Sequence, residues 1–131
     1  MYNLKVTREQ AEVLTKVLDM FSRIGIGQLE EILRHPAYNL KVVTGEINLA
    51  RSRRARELLN EVRSLITGQR QGGIGIPLSD EQNKIAYDIL QVVQHRLAWD
   101  ERPEGSSEIW FQEPMREANH PLAEIEEEED V

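Results

Sequence analysis

No cysteine occurs among the 131 residues, so disulfides and thiolate metal sites are excluded, and the composition fits a reducing compartment. Histidine is scarce: His35, His95 and His120 are all there is, with neither an HExxH motif nor a helical pair, which leaves a zinc hydrolase little support. A GxSxG elbow, a GxxxxGK[ST] loop and a strand-borne GxGxxG are all missing, so no nucleophile elbow or phosphate loop can be assigned. No run approaches 18 apolar residues and MYNLKVTREQ lacks an apolar signal core, so no membrane span or leader is expected. Aromatics make up only 5 %, and four of the seven (Tyr87, Trp99, Trp110 and Phe111) lie between positions 87 and 111.

What is there is charge, unevenly placed. The net charge is −7, but residues 1–70 hold 12 lysines and arginines against 8 acids, and residues 71–131 hold 4 against 15. The acidic balance argues against general nucleic-acid binding. Six of the last eight residues are acidic, and EIEEEEDV over 124–131 reads as a solvated tail. A single helical domain is expected over 1–123.

Hydrophobic spacing predicts about four helices and a possible small two-stranded terminal sheet, a mostly α class. YNLKV over 2–6 alternates like a strand, and EIWFQ over 108–112 is its expected partner. Thr7 and Gln10 form a capping box for a helix from Arg8 to Arg23, whose 14–17–18–21 stripe should face the core. A second helix is expected from Gly27 to His35, stopped by Pro36. Residues 36–48 read as loop with a short strand over 40–43. Asn48 caps a third helix over 49–66, and Ser79 with Gln82 caps a fourth, running to Trp99. Helices one, three and four should form the core, with helix two across one end. Trp110 and Phe111, on opposite strand faces, would divide between the core and a partner subunit, and a simple packing role for both is the default account.

Three groups carry the candidate chemistry. Glycine-rich joints occur at SRIGIGQ, 22–28, and QGGIGIP, 71–77. They are either tight turns or sets of exposed amides; those around Gly25, Gly27 and Gln28 would bind an anion at a helix start. RSRRAR over 51–56 puts four guanidiniums in the first turns of a helix, where the dipole disfavours cations. Arg51 and Arg54 can grip an anion through paired hydrogen bonds, and pairing with acids of the same or another chain is the other reading. His95 lies on one side of the last helix with Asp88 and Trp99, and with Arg96 it can orient a ligand. A satisfied boundary histidine is the simpler account. Glu30 and Glu31 are the acids nearest the first joint, and Glu30 with His95 is the one pairing that would suit a small hydrolase.

SRIGIGQLEEILRH at 22–35 and AYDILQVVQHRLAWDERPE at 86–104 resemble a group of small uncharacterised proteins of bacteriophages and prophages, over about residues 4–122. The resemblance implies a cytoplasmic setting in a bacterial host and, by analogy, an accessory or anti-defence role. The expectation is a non-enzymatic homo-oligomeric binding protein, without cofactor or metal, that sequesters a small anionic ligand of nucleotide type. Its site would use Gly25, Gly27, Gln28, Arg51, Arg54, His95 and Arg96. A protein-interaction inhibitor acting on a host protein, a structural module and a small hydrolase are the alternatives.

Overall fold

The computed structural model describes residues 1–68 and 80–126. The chain is mostly helical and has no strand among those residues. Among them are four α-helices, α1 (Arg8–Gly25), α2 (Pro36–Val43), α3 (Leu49–Thr67) and α4 (Glu81–Glu101), with a 3-10 helix at Leu29–Arg34 between α1 and α2 and another at Ile109–Phe111 after α4. They divide between two units, Met1–Ser22 with Asp80–Val131, and Arg23–Ser79.

Local chemistry sets most of the helix starts. Thr7 Oγ1 accepts from the Gln10 amide at 3.2 Å and Gln10 Oε1 accepts from the Thr7 amide at 2.9 Å, the reciprocal box that opens α1. Asn48 accepts from the Arg51 amide at the head of α3. At α4 the cap is Asp80, accepting from Asn83, one place after the expected Ser79, which lies outside the described residues.

In the first unit α1 and α4 run antiparallel. The Asn83 side chain donates to the Ser22 carbonyl at 2.9 Å near one end, and Arg8 approaches Glu101 at 3.6 Å near the other. α1 buries Ala11, Thr15 and Ser22, and α4 buries Asn83, Ala86, Asp88, Leu90, Val92 and Leu97. The buried hydroxyls stay satisfied because Thr15 donates to the Glu12 carbonyl and Ser22 to that of Leu18. The 14–17–18–21 stripe is therefore not the buried face: Leu14 and Leu18 are half-buried, and Val17 and Phe21 are exposed together with Val13.

Other expectations are corrected. Residues 2–6 form no strand and are exposed, and Ile109–Phe111 is a 3-10 turn, so the small terminal sheet is absent among the described residues. Phe111 is buried, with its ring 5.2 Å from that of Trp99 in an edge-to-face pair. Residues 36–43 form α2 instead of loop and strand. Pro36 at the first helical position carries a preset φ, and His35 Nδ1 accepts from the Ala37 amide, so His35 opens a helix where the sequence suggested an end. The helix expected over 27–35 is a 3-10 helix over Leu29–Arg34. α3 packs on it within the second unit, whereas α4 and α1 as far as Ser22 belong to the first, so helices one, three and four do not share one unit. The second glycine joint, 71–77, and the end of the acidic tail lie outside the described residues.

Candidate functional site

The first glycine joint is a helix stop. Gly27 has φ +89° and follows the last turn of α1. Its amide donates to the Ile24 carbonyl at 2.9 Å, and the Gln28 amide reaches back to that of Arg23 at 2.9 Å. This pair of bonds closes a helix C-terminus on a left-handed residue, the conformation glycine adopts without strain. The amides of Ile26 and Leu29 also donate to chain carbonyls, those of Arg23 and Gly27. The joint thus spends these donors on itself and leaves none of them for an anion.

Next to that turn stands an arrangement centred on Glu31, which the sequence reading gave less weight than Glu30. Glu31 is buried, with Arg34 at 3.2 Å and Arg23 at 3.7 Å from its carboxylate. Gln28 accepts weakly from Arg23 at 3.4 Å. Burial of one acid beside two flexible cations holds the 3-10 helix against the end of α1. The signal available in the sequence was the i,i+3 spacing of Glu31 and Arg34.

Arg51 and Arg54 are both exposed on the first turns of α3, and Arg54 pairs with Glu57 at 3.2 Å. Among the described residues no ion pair involves Arg51, Arg53 or Arg56. Further along α3, Ala55, Leu58, Val62 and Leu65 recur at alternating steps of three and four. Leu58, Val62 and Leu65 are exposed, Leu65 at 85 %. Among the described residues of Arg23–Ser79 no hydrophobic side chain is buried; only Gly27, Glu31 and Arg63 are.

His95 and Arg96 belong to the other unit. His95 Nδ1 donates to the Trp110 carbonyl at 3.1 Å, which fixes the proton on that nitrogen, and its ring stands edge-on to Trp99. Nε2 lies 3.8 Å from the Glu113 carboxylate. Arg96 pairs with Asp100 at 3.2 Å. His95 thus anchors the segment that follows α4. Glu30 lies in the unit of α3 and His95 in that of α4.

A shallow apolar groove lies between Leu4 and Val6 of the N-terminal segment and Val13 and Leu14 of α1. Among the described residues no group of three acids or histidines could hold a metal ion, and no helix is long and apolar enough to cross a membrane. No protein-family model, curated protein or solved structure matches this chain.

Proposed function

We propose that the chain is a non-enzymatic oligomeric binding protein whose assembly surface is the apolar seam of α3. One observation carries the reading: a unit of this length buries no hydrophobic side chain among its described residues, while Leu58, Val62, Leu65 and Ile66 stand exposed in it. Exposed apolar side chains clustered along one helix, rather than scattered singly, are the kind of surface that marks a protein–protein contact. The alternating three-and-four spacing suits a second helix carrying the same spacing, and a second copy of the chain supplies one by symmetry. Light scattering of the full chain should give a multiple of the 15.1 kDa chain mass. Leu58→Glu and Val62→Glu should each shift it toward one chain. A monomer at all concentrations overturns the reading and leaves a host-protein partner as the occupant.

A second reading rests on the arginines. Arg51, Arg53 and Arg56 are exposed, and Arg51 and Arg53 crowd the helix end where positive charge is least favourable. An anionic ligand of nucleotide type offsets that repulsion, with Arg51 and Arg54 as its bidentate contacts. A screen of nucleotides and cyclic dinucleotides should raise the melting temperature, and Arg51→Ala should abolish the rise. The absence of any shift across the screen removes this ligand class. An accessory or anti-defence role in a bacterial host cell is the setting such binding would serve.

A further inference from the structure

One face of α4 holds the backbone of the segment that follows it. Glu81, Asp88, Gln91 and His95, at steps of seven, three and four, share that face. The segment runs back along it from Trp110 to Asn119. His95 Nδ1 donates to the Trp110 carbonyl, and Gln91 makes a two-way contact with Met115, donating to its carbonyl at 3.0 Å and accepting from its amide at 3.2 Å. Asp88 accepts from the amides of Glu117 and Ala118, both at 3.0 Å, and Glu81 accepts from that of Asn119. Each of these hydrogen bonds ends on a main-chain atom. Of the segment's own side chains beyond Phe111, only that of Ala118 is buried, at 3 % exposure, while Met115, Arg116 and Glu117 face outward.

Asp88 gives the face its character. It is 3 % exposed, and no cation pairs with it among the described residues. Its donors are the main-chain amides of Glu117 and Ala118. A buried carboxylate stripped of its donors is costly, so this face favours being covered by an extended main chain. Nothing in the hydrogen bonds depends on which side chains that main chain carries, apart from a small residue at the place of Ala118.

We propose that this face of α4 is a docking site for an extended peptide, occupied within the chain by residues 110–119. A partner segment of the same pattern, with two successive free amides and a small residue at the second, binds by displacing it. The site is separate from the α3 seam, and the proposal does not depend on the assembly reading.

The test uses the full chain with two changes on the segment side, and a third on α4 as the control. Ala118→Glu places a large charged group where a methyl group is buried. Met115→Pro removes the amide that donates to Gln91. Limited trypsin digestion reads the segment through cleavage after Arg116, and circular dichroism reads the helices. A labelled peptide of sequence IWFQEPMREANH, residues 109–120, is titrated by fluorescence anisotropy. Both variants should keep their helical signal and be cut after Arg116 about tenfold faster than the unaltered chain, since cleavage follows the open population. Both should bind the peptide about tenfold more tightly than the unaltered chain, whose site is already filled. Adding Asp88→Asn should abolish that binding.

Unchanged cleavage in both variants shows that other contacts hold the segment, which overturns the proposal. Faster cleavage without tighter peptide binding also overturns it, because the freed face then takes no main chain. Loss of the helical signal in both variants makes the segment an inseparable part of the core and overturns it as well.

Discussion

The two units solve the same problem in opposite ways. The unit of α1 and α4 gathers Ala11, Ala86, Leu90, Val92, Leu97, Phe111 and Ala118 into an apolar interior and satisfies its buried polar groups by hydrogen bonds. Among its described residues the unit of α2 and α3 buries a glycine, a glutamate and an arginine, and leaves its large aliphatic side chains half-buried or exposed. Hydrophobic burial is the main favourable contribution to folding. The first unit therefore has a buried apolar interior as its source of stability, whereas the second combines polar fixtures at its turns with aliphatic side chains that are at most half-buried. Two halves of one chain with similar hydrophobic content can differ this much because the decisive variable is which faces meet.

Four substitutions test that contrast. Leu90, 1 % exposed, is the most buried large side chain among the described residues, and Leu90→Ala should cost about 2–5 kcal/mol by chemical denaturation, the range for emptied core positions. A cost below about 1 kcal/mol would mean that the first unit has no packed interior. In the second unit Glu31→Gln should lower stability by about 1–2 kcal/mol, the modest size reflecting half-exposed arginine partners. An unchanged denaturation midpoint would remove the polar fixture from the comparison. Gly27→Ala, at φ +89°, should cost about 1–2 kcal/mol and fray the end of α1, visible as faster amide exchange at Gln28. Thr7→Ala should be mildest, about 1 kcal/mol, because one exposed cap is lost. If the last change outweighed Leu90→Ala, capping and not burial would govern the first unit.

Sequence spacing made the helix starts at Thr7 and Asn48 legible, since a cap is settled by residues three apart. It misjudged YNLKV and EIWFQ because alternation signals a strand only where a partner strand exists. Residues 36–43 read as loop and strand because Pro36 reads in the sequence as a helix stop, whereas His35 and Pro36 set up the first turn of a helix. The stripe on α1 was real as periodicity, but α1 buries Ala11, Thr15 and Ser22, and periodicity carries no sign of which apolar side a neighbour will take. Among the candidate site residues, Gly27 was legible as a turn. The role of His95 depends on a carbonyl fifteen residues away, and that of Glu31 on the side chain of Arg23, contacts no local window contains.

Trp99 and Trp110, the only two tryptophans, both stand where the chain leaves α4. Gly105, at φ +77°, lies under the Trp99 ring so closely that an added Cβ would come within 2.8 Å of it, and Phe111 meets the same ring edge-on. Intrinsic emission excited at the red edge of the protein band therefore originates from this corner alone. The unit of α3 is dark at that wavelength, which makes the unlabelled chain a ready optical probe for loosening at one place.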